Sequence, residues 1–144
     1  MESWKPIIGY EASYEISSLG RVKRKRSFDS RGHLRNERIK KTRLNAFGYE
    51  VVGLYKNGVE KKFLVHNLVA NAFLPNPNNL SDVNHINEIK YDNRLENLER
   101  CTRSYNCKYG TANERRQLSR KLNKENGTNG LPINRRIKVC VGIS

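Results

Sequence analysis

At Val65 the hydrophobic period of the chain changes, and that change limits what can be built around it. Upstream, Tyr49-Glu50-Val51-Val52-Gly53-Leu54-Tyr55 and the segment 59–65 flank Asn57-Gly58. Asn-Gly tolerates the positive φ angles of a two-residue I′ turn, so the stretch predicts a β-hairpin. From Val65 onward, Val65, Leu68, Val69, Ala72 and Phe73 fall at the spacing of one helix face. This helix runs for about two to three turns, and Pro75 and Pro77 end it.

Around this hairpin and helix the signals are shorter. Trp4-Lys5-Pro6-Ile7-Ile8-Gly9-Tyr10, Tyr14-Glu15-Ile16-Ser17 and Gly20-Arg21-Val22-Lys23 are β-like pieces broken by Gly and Ser. Downstream, Val83-Asn84-His85-Ile86 and Leu98-Glu99-Arg100-Cys101-Thr102 are strand candidates separated by an Asn-rich turn region, 87–97. Thr102 suits the cap of a helix reaching Tyr109, with Gly110 at its C′ position. Residues 111–125 read as a basic helix, 126–130 as a linker and 137–141 as a last strand. The fold class expected is α+β: a small β-rich N-terminal module (1–58), a strand-loop-strand-helix unit (59–110) and a basic helical C-terminal extension (111–144).

The chain of 144 residues carries 28 Lys+Arg against 14 Asp+Glu, a formal charge of +14. Residues 1–62 hold 15 basic and 7 acidic side chains, residues 63–110 five of each, and residues 111–144 eight basic and two acidic. The excess therefore lies on two flanks around a neutral centre. A polyanion is the partner such flanks fit. Four successive cations, Lys23 to Arg26, follow a strand and are read as phosphate contacts. Arg21 is added to them, and Arg115, Arg116, Arg120 and Lys121 form the matching set on the C-terminal helix. No run approaches the ~18 apolar residues of a membrane span, and Met1-Glu2-Ser3-Trp4 starts no signal peptide, so an intracellular protein is expected. The three cysteines, Cys101, Cys107 and Cys140, form no CxxC pair, which excludes a disulfide framework and a four-cysteine zinc site.

His85 is the side chain best suited to chemistry. A histidine can take a proton from water near neutral pH. The Asn side chains near it offer neutral oxygens for a hard cation or for fixing an imidazole tautomer. Metal-assisted hydrolysis of a phosphodiester needs such a base beside oxygen ligands.

Val83-Asn84-His85-Ile86-Asn87, Asn93-Arg94-Leu95-Glu96-Asn97-Leu98-Glu99 and Cys101-Thr102-Arg103-Ser104-Tyr105-Asn106 together resemble the HNH nuclease motif of phage and intron homing endonucleases. The strand and helix from Phe63 to Phe73 resemble the elements that introduce that motif. The N-terminal pieces from Trp4 to Lys23 resemble a nuclease-associated modular DNA-binding motif. The resemblance covers about residues 3–110 and implies a ββα-metal finger holding one divalent ion. It implies His85 as general base, Asn97 as the residue orienting it, and Asn84 and Asn106 as metal ligands. Asn93 is given a structural turn role. Position 84 is Asp in some relatives, so the site here lacks a formal charge. Asn106 where many HNH enzymes have His favours Mg²⁺ or Mn²⁺ over Zn²⁺. Tyr105 stands where relatives often carry an acidic residue.

The implied activity is metal-dependent DNA endonuclease cleavage of double-stranded DNA, with nicking as the default of a monomer with one site. One rival is a DNA-binding protein with an inert finger. A basic RNA-binding protein is a further rival, but it gives the Asn84-His85 to Asn106 constellation no purpose. His66 is read as structural, His33 as solvated, Cys101 and Cys107 as small buried thiols, and Tyr10, Tyr14, Tyr49 and Tyr55 as packing residues.

Overall fold

A computed structural model describes residues 1–125. The linker and last strand expected over 126–130 and 137–141 lie outside the described residues. The chain divides into two units, Met1–Arg103 and a second beginning at Ser104.

The first unit opens with β1 (Trp4–Pro6), β2 (Tyr14–Ser17) and β3 (Val22–Arg24), paired antiparallel in chain order. A small hairpin, β4 (Ser27–Phe28) and β5 (Leu34–Arg35), follows. Then β6 (Arg38–Ile39) returns to the free edge of β3, giving a four-stranded sheet in the order β1-β2-β3-β6. None of the three short strands from β4 to β6 has an apolar period that would announce it.

The predicted hairpin is present: β8 (Glu50–Lys56) pairs with β9 (Val59–Leu64), and β7 (Arg43–Leu44) adds a third strand to β8. Asn57 and Gly58 have φ of 53° and 76°, the two positive angles an I′ turn requires. The expected module boundary at 58 falls inside this turn, so the hairpin joins the segments on either side.

The helix α1 (Val65–Phe73) begins where the period changes. Its Val65, Leu68, Val69 and Ala70 are buried. Leu74 is extended (φ −98°, ψ 115°), as a residue before proline must be, and its N–H closes the helix on Ala70 O at 2.8 Å. One core unites the unit: Ile7, Tyr14, Ile16 and Val22 from the first sheet, Val52 and Leu54 from β8, the face of α1, then Val83 and Leu98. Each such side chain contributes roughly 1.5–3 kcal/mol. The N-terminal module and the His85 segment are thus built on the same apolar interior.

The final strands, β10 (Asp82–His85) and β11 (Leu98–Cys101), form a separate antiparallel ladder. The second unit contains α2 (Arg103–Lys108), of which Arg103 belongs to the first, and α3 (Ala112–Glu125). Gly110 at φ 55° lies between them, in the left-handed conformation expected of it. No helix among the described residues is long and apolar enough to cross a membrane.

Candidate active site

His85 ends β10 opposite Leu98, one step after the Asn84–Glu99 pair. Its ring is buried to 6% exposure. His85 Nε2 lies 2.9 Å from Asn93 Oδ1, and Nδ1 makes no hydrogen bond to a described residue. His66 of α1 meets the ring edge-on with centroids 4.9 Å apart, and Tyr49 packs against both imidazoles at 5.3 and 6.0 Å. Burial lowers the His85 pKa; the Asn93 hydrogen bond and Asp92 oppose that shift, and Lys90 adds to it. His66 is lowered further, to about 4, chiefly by burial and then by the neighbouring His85. Both rings are therefore neutral at pH 7. His66 Nδ1 is buried without a hydrogen-bond partner.

The loop between the strands is laced by asparagines. Asn97 accepts from the Asn87 backbone N–H at 2.9 Å and donates through Nδ2 to Asn87 Oδ1 and Asp92 O at 2.9 and 2.8 Å. Asn87 in turn donates to Asp92 Oδ2 at 2.7 Å. The Arg94 guanidinium grips the same carboxylate and, with Asn87, draws its pKa down to about 2. Sequence reasoning placed Asn97 on the histidine and Asn93 in a turn, whereas the geometry reverses them. Asn97 closes a 3₁₀ turn (Leu95–Asn97), from which its amide spans the loop to Asn87. Asn93 instead reaches the His85 ring.

Asn93 is held from two further directions. Its Nδ2 donates to Glu50 Oε2 of β8 at 2.8 Å. Gly20, at φ 84° in the turn between β2 and β3, packs so closely that an added Cβ would lie 2.9 Å from Asn93 Cβ. Beside it the Leu95 N–H donates to Ser18 O at 2.8 Å, so the N-terminal sheet props the loop. Neither Glu50 nor Gly20 carries a local sequence signal for this role.

Asn84 is buried and donates through Nδ2 to Glu99 Oε1 at 2.8 Å, leaving its Oδ1 free of hydrogen bonds to described residues. That amide oxygen beside a carboxylate suits a hard cation that keeps part of its water shell. Among the described residues no group of three or more His, Cys, Asp or Glu side chains could hold a metal. Asn106 lies on α2 and is half-buried; neighbouring Tyr105 is exposed and stacks near Tyr109 at 5.5 Å.

The basic run divides by strand geometry. Arg21 is bound to Glu2 and lies over the Trp4 ring. Lys23 pairs with Glu15 and Glu37 at 3.3 and 3.8 Å and also sits over Trp4. Lys25 reaches Glu11 O at 3.4 Å, and Arg26 is exposed. Arg24 instead joins Arg38, Lys40 and Lys41 around a concavity of about 250 Å³. This four-cation cluster comes from separate segments, so a search for runs finds only one member. On α3, Arg115, Arg116, Arg120 and Lys121 are all exposed, with Arg115 and Arg116 also bonded to Thr111 and Asn113.

Cys101 is buried, and burial pushes its thiol up to about 11, so it is inert as a nucleophile. Cys107 is exposed rather than buried, because α2 buries none of its residues. His33 is solvated as expected, beside Asp29. Tyr10, Tyr14 and Tyr49 pack, whereas Tyr55 is half exposed near the strand end.

A two-stranded ladder, an Asn-laced loop and a following helix, with a buried His at the strand end, define the class. Residues 2–55 match the NUMOD4 motif and residues 63–108 match the HNH endonuclease family. The chain carries a NUMOD4 motif joined to an HNH endonuclease domain and is homologous to a phage HNH homing endonuclease. It is 35% identical over 103 residues to DNA endonuclease I-HmuI of Bacillus phage SP01, covering 72% of this chain and 54% of the relative. Two uncharacterised HNH endonucleases of Acanthamoeba polyphaga mimivirus are 32% and 37% identical, over 88% and 78% of this chain and 35% and 27% of their own lengths. The chain thus spans from about a quarter to about half of these relatives. A solved structure titled "DNA binding and cleavage by the HNH homing endonuclease I-HmuI" matches with a TM-score of 0.54 at 26% identity, over 94% of this chain and 66% of that one.

Proposed function

We propose that the chain is a DNA endonuclease that hydrolyses a phosphodiester bond with one divalent cation, Mg²⁺ or Mn²⁺. The observation that carries this reading is the His85 ring, whose Nε2 stands 2.9 Å from the Asn93 amide oxygen; a hydrogen on Nε2 leaves the Nδ1 lone pair to take a proton from water. Its lowered pKa keeps that lone pair available at neutral pH. As the ring gains the proton, the Asn93 oxygen stabilises the imidazolium through Nε2–H. Asn84 Oδ1 and Asn106 would hold the cation, Asn106 on the strength of its place in the motif. When bound, the cation supplies positive charge beside the scissile phosphate.

As the water oxygen bonds to phosphorus the P–O3′ bond breaks, and the departing 3′ oxygen takes a proton from solvent, leaving a 5′-phosphate and a 3′-hydroxyl. A monomer with one such site nicks one strand per engagement. The cluster of Arg24, Arg38, Lys40 and Lys41, together with the basic face of α3, supplies phosphate contacts for double-stranded DNA. The division of labour follows the three segments 1–58, 59–110 and 111–144.

The test is incubation of supercoiled plasmid with the protein in Mg²⁺, Mn²⁺ or EDTA. Nicked circles that appear with either metal and not with EDTA are expected. DNA binding without any cut at any metal concentration would instead mean an inert finger on a DNA-binding protein.

A further inference from the structure

We infer that Glu50 is a positioning residue for His85: through the Asn93 amide, its carboxylate fixes the imidazole tautomer that carries hydrogen on Nε2 and the lone pair on Nδ1. The inference rests on the reading of His85 as the base and adds what sets its reactive nitrogen.

The argument is one of donors and acceptors. A carboxylate only accepts hydrogen bonds. Glu50 lies on β8, 43 residues before Asn93, and its Oε2 stands 2.8 Å from Asn93 Nδ2. Its other oxygen, Oε1, receives the Thr42 hydroxyl, so both oxygens are engaged by donors. The amide must then turn its NH₂ toward Glu50, which turns its oxygen toward His85 Nε2 at 2.9 Å. An amide oxygen cannot donate, so Nε2 must carry the hydrogen. The reversed amide would set oxygen against carboxylate and lose the bond to Glu50. A tautomer otherwise free to interconvert is thereby chosen by an acidic residue that never touches the ring. Gly20 and Tyr49 close the space in which Asn93 and the ring could rearrange.

The experiment uses the full chain without metal and reads the imidazole nitrogens of His85 by ¹⁵N NMR. Only three histidines are present, so His33→Gln and His66→Gln complete the assignment. The parent is expected to show a pyrrole-type Nε2 and a pyridine-type Nδ1. Glu50→Gln, whose amide can face Asn93 with either end, should give a mixture of tautomers. Its turnover of plasmid should fall about 10- to 100-fold with DNA affinity unchanged. Adding Asn93→Asp to Glu50→Gln restores the order of donors: the amide at 50 donates to the new carboxylate, and that carboxylate accepts from Nε2–H. The double variant should recover the single tautomer and most of the turnover.

A parent with its hydrogen on Nδ1 overturns the inference without any variant, whether or not Glu50→Gln folds. So does a folded Glu50→Gln that keeps the pure Nε2–H tautomer and full turnover. If Glu50→Gln mixes the tautomers while the parent cuts no DNA, the positioning role stands and the nuclease reading fails.

Discussion

Gly20→Ala isolates the contact between the N-terminal sheet and the loop that orients His85. Gly20 has φ 84°, and a Cβ there would stand 2.9 Å from Asn93 Cβ and 3.1 Å from Asn93 O. The left-handed backbone costs an L-residue roughly 1–2 kcal/mol. The steric intrusion adds about 1–3 kcal/mol, because the neighbour is partly backbone and cannot swing aside. Gly9 is the matched control, with φ 85° but open space around its Cβ position. Gly9→Ala should therefore cost only the strain, and Gly20→Ala about 2–5 kcal/mol, both read by urea unfolding. Asn93 must also move by several tenths of an ångström, lengthening its 2.9 Å bond to His85. Plasmid nicking under conditions where both variants are folded should fall for Gly20→Ala and hold for Gly9→Ala. Equal stability and equal nicking in the two variants would refute the argument that this turn supports the catalytic loop.

Acid should destabilise the protein through His66, held at about 4 when folded against an ordinary 6.5. Between those pH values the unfolded chain binds the proton and the folded one does not, so stability falls as pH drops, by roughly 3 kcal/mol in all. His66→Phe should flatten that limb in urea titrations at pH 4.5 and 7. Replacing Arg24, Arg38, Lys40 and Lys41 by Gln should flatten the log-affinity versus log-salt slope by up to about four times 0.9. The pair Arg21→Gln and Lys23→Gln should change that slope less, since both cations already face carboxylates. Asn84→Asp should lower the half-saturating Mg²⁺ concentration about tenfold, or ~1.4 kcal/mol. It also sets a second carboxylate against Glu99 and removes the Nδ2–H bond, so the metal-free variant should melt below the parent and recover on adding Mg²⁺.

What the sequence made legible and what it hid follow from the range of the interactions. Asn57-Gly58 and the switch of period at Val65 are local, and the hairpin and α1 stand where those signals put them. Val83 to Ile86 and Leu98 to Thr102 also fall on strands, within a residue at their ends. The roles of Asn93 and Asn97 depend on the path of an eleven-residue loop, 87–97, whose Glu88 adopts a φ of 63°. Composition contains no trace of that path, so nothing local tells that Asn93, expected in a turn, reaches the His85 ring while Asn97, expected at the ring, spans the loop to Asn87. Nothing local marks Glu50 within its strand, because its bond to Asn93 crosses 43 residues. The basic run divides for the opposite reason. Four neighbours on a chain do not share a face, and β3 sends Lys23 to Glu15 while Arg24 joins cations from other segments.

The most direct test of the central claim is to measure nicking and DNA affinity together for His85→Ala. If Nδ1 of His85 is the base, cleavage with saturating Mg²⁺ should fall by about two to four orders of magnitude. DNA affinity should stay within about twofold, because the ring is buried and none of the basic cluster is touched. A variant that still nicks at the parent rate, or one that loses binding and cleavage in the same proportion, would contradict the account.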